Sequence, residues 1–135
     1  MIKAKDIMTK EVICVKRDTP IYETIELLVK KEITGIPVVE DDMSLVGIVS
    51  EKDVLSLFYD YEDGKDKTAG DYMTQPAVCY NEDDSLQTIC DFMMINYFRR
   101  VPVTSKEGKL VGIISRPDVL KYILKVRGEE TSGAG

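Results

Sequence analysis

The residues best suited to chemistry are a serine and an aspartate that occur twice at the same spacing. Ser50 precedes Asp53 by three positions, and Ser115 precedes Asp118 by three positions. This spacing at the start of a helix is typical of a capping box, in which the serine and the acid satisfy free backbone amides. The same arrangement suits a ligand, because a helix N-terminus binds phosphate and a carboxylate accepts hydrogen bonds from sugar hydroxyls. The two interpretations are compatible, and the pattern alone leaves both open.

Other candidate chemistry is weak. The sequence has no histidine, which removes Ser-His-Asp and Cys-His catalysis and the commonest transition-metal ligand. Its three cysteines, Cys14, Cys79 and Cys90, form no C-x-x-C pair, so we expect small apolar core residues rather than disulfides or zinc ligands. Acidic clusters at 40–42 and 82–84 fall at predicted turns and helix starts. We therefore expect no catalytic residue, no metal and no enzyme.

Charge and hydropathy narrow the class of protein further. The 135 residues carry a net charge of −6, which argues against non-specific nucleic-acid binding because that needs a basic surface. No apolar run approaches the roughly 18 residues that span a bilayer. The first residues also lack the apolar core of a signal peptide. We expect a cytoplasmic protein with neither a nucleic acid nor a membrane as partner.

An internal repeat sets the positions of the two S-x-x-D corners. The sequence aligns with itself, without a gap, at an offset of 65 residues. The matched segments include the lead-ins around Met8-Thr9 and Met73-Thr74, the Pro-Val pairs at 37–38 and 102–103, and the Leu-Val-Gly-Ile runs at 45–48 and 110–113. An ungapped register predicts equal loop lengths and therefore nearly the same backbone in both halves.

Each repeat has the pattern β-α-β-β-α. In the first repeat, β-branched runs predict strands at 12–15, 36–39 and 45–49. Thr19-Pro20 predicts a helix start capped by the threonine, and a second helix is expected at 51–58. Apolar spacing puts four side chains of the first helix inward: Ile21, Ile25, Leu28 and Val29. In the second helix it does the same for Val54, Leu55 and Phe58. The second repeat predicts strands at 77–80, 101–104 and 110–114 and helices at 84–97 and 117–126.

The predicted fold is α/β, with α+β layers. One 60-residue unit buries too little surface to be secure alone, so we expect the two repeats to pack sheet to sheet with pseudo-twofold symmetry. The predicted division is repeat 1 at 1–60, a linker at 61–67, repeat 2 at 68–126 and a flexible tail at 127–135.

These motifs together resemble a pair of CBS domains, the Bateman module. The resemblance rests on the DIMT and DYMT lead-ins, the GIPV and RVPV strands and the GIVSEKD and GIISRPD corners, and it covers residues 1 to 126. It implies a non-catalytic, energy-sensing regulatory module. Such a module binds adenosine-containing ligands, AMP, ADP or ATP above all or S-adenosylmethionine, in the clefts between the repeats and passes the bound state to a partner. It also implies no required cofactor, a homodimer and an effector protein that the sequence does not identify.

The resemblance also implies two ligand sites that each draw on both repeats. In the family the corner serine contacts phosphate and the aspartate holds ribose. In the gamma subunit of the AMP-activated kinase, a His-Arg pair that binds phosphate stands where this chain has Arg99-Arg100. Carried over, site A comprises Met8, Ile13, Ile33, Thr34, Ile36, Arg99, Arg100, Ser115 and Asp118. Site B comprises Ser50, Lys52, Asp53, Met73, Val78, Phe98 and Val101.

The two sites differ in charge, which suggests different affinities. Site A has Arg99, Arg100 and the neighbouring Arg116, whereas the first repeat has Thr34-Gly35 in place of the arginine pair. We expect site A to bind phosphorylated nucleotide more tightly than site B. Plainer interpretations remain open. One is that the arginines are solvated loop residues, and another is that the apolar lining residues belong only to the core. A third is that the chain is a structural dimerisation module with degenerate ligand sites. A small carboxylate enzyme is a further alternative, and it would turn over an adenosine substrate.

Overall fold

The computed structural model describes the backbone of residues 1–134 and the side chains of residues 1–129. It contains six α-helices and six strands in this range, and two short 3-10 helices follow α3. In chain order they are α1 Ala4–Ile7, β1 Val15–Lys16, α2 Ile21–Lys30, β2 Gly35–Val39, β3 Leu45–Ser50, α3 Glu51–Val54, the 3-10 helices Leu55–Phe58 and Tyr61–Gly64, α4 Ala69–Tyr72, β4 Tyr80–Asn81, α5 Leu86–Asn96, β5 Arg100–Thr104, β6 Leu110–Ser115 and α6 Arg116–Ala134.

The chain divides into two compact units. Unit 1 contains Met1–Val12, Cys79–Lys106 and the chain from Val111 onward, and unit 2 contains Ile13–Val78 and Glu107–Leu110. Each unit therefore combines most of one repeat with the lead-in segment of the other. The predicted repeat boundaries follow the sequence alignment and stay a prediction.

Each unit has a three-stranded sheet with the same topology. In unit 2, β1 pairs parallel to β2 and β2 pairs antiparallel to β3, with Ile36 opposite Val49. In unit 1 the strand order is β4-β5-β6, and Tyr80 of β4 lies opposite Val103 of the parallel β5. The predicted mixed α/β fold built from two similar repeats is confirmed.

Helices cover one face of each sheet because their apolar residues recur at helical spacing. In unit 2, Ile21 and Leu28 of α2 pack in a cluster with Ile36, Val38 and Val49. The equivalent cluster in unit 1 joins two α5 residues to the strands, namely Ile89 and Met93 with Val101, Val103 and Ile114. Each fully buried aliphatic side chain contributes about 1.5–3 kcal/mol. These two cores hold the strand ends on which the corners are built.

Several local predictions were wrong. The strands expected at 12–15 and 77–80 are reduced to β1 and β4. Thr19 does not cap α2, because its hydroxyl accepts a hydrogen bond from the Lys16 amide at 3.0 Å and Pro20 precedes the helix. The helix expected at 51–58 is α-helical for one turn only.

Three side chains predicted to face inward are mostly exposed. Val29 is 74% exposed, Leu55 66% and Phe58 84%. After α3 the backbone tightens into a 3-10 helix, which rotates Leu57 into the core in place of Leu55 and Phe58. Cys79 is also exposed, contrary to the prediction of a core thiol, whereas Cys14 and Cys90 are half-buried. Burial raises the pKa of those two thiols.

The predicted linker at 61–67 is folded against α2. The Tyr22 hydroxyl donates to the Tyr61 carbonyl at 2.5 Å, and the two rings stack with centroids 4.8 Å apart. Gly64 is buried, and a side chain there would meet the Tyr22 ring and Leu57. At the other end, the helix expected at 117–126 is too short, since α6 continues to Ala134 and Gly135 lies outside the described residues. No helix in the described part of the chain is both long and apolar enough to cross a membrane.

Candidate functional site

The corner of unit 2 lies where β3 passes into α3. Ser50 has an extended backbone, with φ −104° and ψ 165°, so the strand ends and the helix begins at this residue. Its amide donates to Asp53 Oδ2 at 2.8 Å, and its hydroxyl donates to the same oxygen at 2.9 Å. In return the Asp53 amide donates to Ser50 Oγ at 3.4 Å. The capping box read from the sequence is therefore present.

The corner of unit 1 repeats this arrangement where β6 passes into α6. The Ser115 amide and hydroxyl donate to Asp118 Oδ2 at 2.9 and 3.0 Å, and the Asp118 amide donates to Ser115 Oγ at 3.4 Å. Both corners therefore present the same two side chains in the same geometry. Since Oδ2 of each aspartate accepts two hydrogen bonds, Oδ1 is the oxygen with spare capacity.

A threonine from the lead-in segment completes each corner, and sequence reasoning did not include it among the site residues. Thr9 Oγ1 donates to Asp118 Oδ1 in unit 1, and Thr74 Oγ1 donates to Asp53 Oδ1 in unit 2, both at 3.0 Å. The signal that could have found them is the Met-Thr pair, which recurs at the same offset as the corners.

Glycine brings each lead-in segment close to its sheet. Thr74 exchanges backbone hydrogen bonds with Ile48, at 2.8 and 3.0 Å, and Thr9 exchanges two with Ile113, both at 2.9 Å. A side chain on the adjacent Gly47 would lie 2.7 Å from Met73 Sδ and 2.9 Å from the Thr74 carbonyl oxygen. The glycine in the G-I-[VI]-S motif is thus required by the close approach of a second backbone segment.

The helix N-termini offer fewer amides to a phosphate than the sequence suggested. The first amide of α3, that of Glu51, donates to the Thr34 carbonyl at 3.0 Å, and the first amide of α6, that of Arg116, donates to the Arg99 carbonyl at 3.0 Å. In α6 the next residue is Pro117, which has no amide hydrogen. A phosphate at the unit 1 corner must therefore be held mainly by side chains.

Arginines supply those side chains in unit 1. Arg99 is exposed, and its carbonyl accepts a hydrogen bond from the Arg116 amide. This bond places the backbones of both arginines beside the Ser115–Asp118 corner. Arg116 Nε donates to the Phe98 carbonyl at 3.3 Å. Arg100 opens β5 and is half-buried, and its Nε is buried without a hydrogen-bond partner among the described residues. A guanidinium suits anion binding because its N–H donors form a planar fork.

The predicted site residues fall in both units. Of site A, Met8, Arg99, Arg100, Ser115 and Asp118 lie in unit 1, whereas Ile13, Ile33, Thr34 and Ile36 lie in unit 2. Of site B, Ser50, Lys52, Asp53, Met73 and Val78 lie in unit 2, whereas Phe98 and Val101 lie in unit 1. In each unit the lead-in methionine lies beside the strand that ends in the Ser-Asp corner, since a side chain placed on Gly112 would meet Met8 and one placed on Gly47 would meet Met73.

The isoleucine, valine and phenylalanine members of these sets are of two kinds. Ile33, Ile36 and Val101 are buried within the core clusters, as expected of plain core residues. Ile13, Val78 and Phe98 are 37–43% exposed and so have surface to offer a ligand. Ile13 and Val78 occupy equivalent positions in the two repeats.

The acidic clusters at 40–42 and 82–84 each form ion pairs with lysine side chains. Lys109 binds Asp42 at 2.9 Å and holds its pKa well below the usual range, while Lys5 binds Asp83 at 3.0 Å and lowers its pKa in the same way. Within the residues that the structure describes, no group of three or more histidine, cysteine, aspartate or glutamate side chains could hold a metal ion.

Unit 1 also has an open apolar groove of about 580 Å³ between α5 and α6. Its walls include Met94 and Leu120, which are 70% and 59% exposed, and Ile123, which is 54% exposed. Such large apolar side chains close together on a surface mark an interaction face.

Comparison with protein families and curated proteins identifies relatives over nearly the whole chain. The CBS domain family matches twice, at residues 4–60 and 69–125. The chain is 34% identical over 119 residues to inosine-5'-monophosphate dehydrogenase of Methanocaldococcus jannaschii, which covers 88% of this chain and 23% of that protein. It is 30% identical over 144 residues to the chloroplastic CBS domain-containing protein CBSX2 of Arabidopsis thaliana, covering 85% of this chain and 60% of that protein. The chain thus spans less than two thirds of either relative.

Solved structures include two close in fold. CBSX2 in complex with AMP is 32% identical with a TM-score of 0.83, over 94% of this chain and 99% of that one. The CBS domain pair of protein MJ0100, in complex with 5'-methylthioadenosine and S-adenosyl-L-methionine, is 25% identical with a TM-score of 0.72. That alignment covers 91% of this chain and 96% of the other.

Proposed function

The chain belongs to the CBS domain family, and from this premise we propose that it is a non-catalytic regulatory module that binds adenosine-containing ligands. AMP, ADP and ATP are the favoured ligands, and S-adenosylmethionine is the second class. The observation that carries the proposal is the cationic corner of unit 1, where Arg99, Arg100 and Arg116 accompany Ser115 and Asp118. The AMP complex of a relative supports a nucleotide as the anion that these arginines bind.

In the proposed site each polar residue has one task. Arginines bind the phosphate through their forked donors, which are the strongest available at neutral pH. Ser115 can accept from or donate to the ligand only by sharing its existing bonds, so it positions Asp118 more than it binds. Asp118 then accepts from ribose with Oδ1. The unit 2 corner has the same aspartate geometry, with Thr34-Gly35 where unit 1 has arginines. We therefore expect it to bind less charged adenosine ligands, or AMP more weakly.

The same side chains argue against an enzyme. Each aspartate is engaged by a serine and a threonine, and no histidine exists to act as a base. A carboxylate that accepts three hydrogen bonds is well suited to binding and poorly suited to proton transfer. The output of binding must then be a change transmitted to another protein, which we propose as the role of the module.

The quaternary state proposed for the module is a homodimer. In support, the groove between α5 and α6 exposes Met94, Leu120 and Ile123, which a second copy could cover. We predict that Leu120→Glu dissociates the dimer, because a charge in an apolar interface is costly. Analytical ultracentrifugation should give a dimer for the wild-type chain and a monomer for the variant, whereas Lys125→Glu, an exposed site on the same helix, should remain dimeric. A monomeric wild-type chain at high concentration would contradict the proposal.

A thermal-shift panel tests ligand binding. We expect AMP, ADP or ATP to raise the melting temperature, because a ligand present at 100 times its dissociation constant stabilises by about 2.7 kcal/mol. S-adenosylmethionine tests the second ligand class, and GMP controls for phosphate binding without adenine. If no adenosine compound shifts the melting temperature, the alternative of a structural dimerisation module with degenerate sites is favoured. Release of product from any compound in the panel would instead indicate an enzyme.

A further inference from the structure

We propose that two copies of the chain pair through unlike faces, so that an apolar face on unit 1 of each copy packs against an apolar face on unit 2 of the other. The inference rests on the proposed function, because it concerns the homodimer proposed for the same module. It adds a second interaction surface, on unit 2, and it identifies which surface of the partner covers the groove between α5 and α6.

The unit 1 face comprises that groove and its rim. Its large apolar side chains are 54–70% exposed, and they are Met94, Leu120, Ile123 and Leu124. Met94 lines the groove together with the buried Met93. Methionine is flexible and polarizable, so it adapts to the shape of an inserted group and makes favourable contacts with aromatic rings. The unit 1 face is therefore suited to receive a bulky apolar side chain.

The unit 2 face occupies the matching positions of the first repeat, 65 residues earlier in the sequence. Its side chains are 66–88% exposed, and they are Val29, Leu55, Phe58 and Tyr59. The rings of Phe58 and Tyr59 pack edge to face with their centroids 5.2 Å apart. Exposed aromatic side chains of this kind are frequent anchors of protein interfaces. The unit 2 face thus presents two aromatic rings where the unit 1 face has aliphatic side chains beside a groove.

The two faces carry charges of opposite sign. Arg116 lines the groove of unit 1, and none of the described residues that line it is acidic. The residue that matches Arg116 in unit 2 is Glu51, and Glu32 matches Tyr97, another residue of the groove. Glu32 and Tyr97 are equivalent in conformation too, because both have a left-handed backbone, with φ 53° and 58°. All four side chains are exposed, so the unit 1 face is bordered by a cation and the unit 2 face by two acids.

Lysines near the unit 2 face in sequence do not cancel this difference. They stand at positions 30, 31 and 52, and the matching positions in unit 1, which are 95, 96 and 117, do not line the groove. The charges that border the equivalent surface are therefore those of the two glutamates.

This difference in charge favours the pairing of unlike faces. Two unit 1 faces would bring two arginines to one apolar contact, and two unit 2 faces would bring the glutamates of both copies together. Unlike faces instead place Arg116 of one copy beside the acids of the other. The Phe98 carbonyl accepts only from Arg116 Nε, so the terminal nitrogens of that guanidinium have donors for the contact. Exposed ion pairs add little affinity, but like charges in an interface disfavour the wrong pairing.

Two single variants each disrupt one face, and sedimentation velocity of the full chain measures the result. Leu120→Glu places a charge in the unit 1 face, and Phe58→Lys places one in the unit 2 face. Every contact of the proposed dimer joins one face of each kind, so either variant alone has a charge in both contacts. Each should therefore be a monomer at a concentration where the wild type is a dimer. Both side chains are mostly exposed, so neither change disturbs the core.

Ser56→Lys is the matched control for Phe58→Lys. It adds the same charge at an exposed position of the same 3-10 helix. The residue that matches Ser56 in unit 1 is Lys121, which does not line the groove. This control should remain a dimer.

An equimolar mixture of Leu120→Glu and Phe58→Lys distinguishes the pairing of unlike faces from that of like faces. In a mixed pair of the proposed kind, one contact is wild type on both sides, and the other sets the introduced glutamate against the introduced lysine. The mixture should therefore form a dimer, with a dissociation constant at least about tenfold lower than that of either variant alone. Pairing of like faces would leave one charge in each contact of a mixed pair, and the mixture would stay monomeric.

The outcomes separate this inference from the proposed function. A wild-type chain that is monomeric at high concentration overturns the homodimer and this pairing together, whereas nucleotide binding is tested separately by the thermal-shift panel. If the wild type is a dimer and Phe58→Lys stays dimeric, the homodimer stands, the inference is wrong, and the unit 2 face is left for a different partner. Two monomeric variants whose mixture stays monomeric also overturn the inference, as does assembly of the wild type beyond the dimer, since unlike faces would then meet without closing.

Discussion

Replacing Arg99 and Arg100 together by alanine lowers the affinity for AMP by about ten- to hundredfold and leaves the affinity for adenosine nearly unchanged. Charge-assisted hydrogen bonds to a phosphate contribute about 1.5–3 kcal/mol, which corresponds to this range. Pro117 and the bond between the Arg116 amide and the Arg99 carbonyl leave few backbone donors at the start of α6, so little else can replace the arginines. Isothermal titration with the two ligands measures both effects.

The matched control for this variant is Lys30→Ala/Lys31→Ala. These lysines form an adjacent exposed cation pair at the end of α2, so the control removes the same net charge away from the unit 1 corner. It should bind AMP like the wild type at moderate salt, since long-range charge effects are screened. An equal loss in both variants would mean that the arginines act only through net charge. Unchanged AMP binding by the arginine variant would contradict phosphate binding at this corner.

Gly47→Ala destabilises the protein by about 1–3 kcal/mol, the usual cost of overpacking a close contact. The added carbon would lie 2.7 Å from Met73 Sδ and 2.9 Å from the Thr74 carbonyl oxygen. The methionine can rotate away. The carbonyl cannot, because Thr74 is paired with Ile48 in both directions. The lead-in segment must therefore shift, and the Thr74–Asp53 bond should be weakened with it.

Urea denaturation measures this effect, with Gly128→Ala as the control. Nothing lies within 4 Å of a side chain placed at Gly128, which is in α6, so alanine there should be neutral or stabilising by up to about 1 kcal/mol. The two substitutions should therefore change the free energy of unfolding by clearly different amounts, with a loss of stability only for Gly47→Ala. If Gly47→Ala unfolds at the same urea concentration as the wild type, the lead-in segment does not lie close enough to β3 to exclude a side chain at Gly47.

The sequence predicted what depends on the repeat and on local pattern. An ungapped offset gave two similar α/β repeats, and the S-x-x-D spacing gave both capping boxes. Patterns of apolar spacing were less reliable at the surface. Val29 and Phe58 fit a helical stripe, yet both are mostly exposed, because periodicity identifies a face without showing whether another element covers it.

The contacts that complete the site were beyond local reasoning. Thr9 and Asp118 are 109 positions apart, and only the folded chain shows that the lead-in segment of the first repeat pairs with β6. The sequence also did not predict that the first amides of α3 and α6 donate to the Thr34 and Arg99 carbonyls. Because these amides are already paired, the expected phosphate contacts shift from the backbone to the arginine side chains. The recurrence of Met-Thr at the repeat offset is the one sequence signal for the threonines.

Calorimetric titration of AMP into the wild-type chain and into Asp53→Asn/Asp118→Asn tests whether the corner aspartates bind the nucleotide. Asparagine keeps a carbonyl oxygen for the Ser50 and Ser115 amides but removes the charge that receives the ribose. We predict saturable AMP binding by the wild type and at least tenfold weaker binding by the double variant, with GMP binding neither protein tightly. Wild-type protein that produces no heat beyond dilution at millimolar AMP, or a double variant that binds AMP as tightly as the wild type, would contradict it.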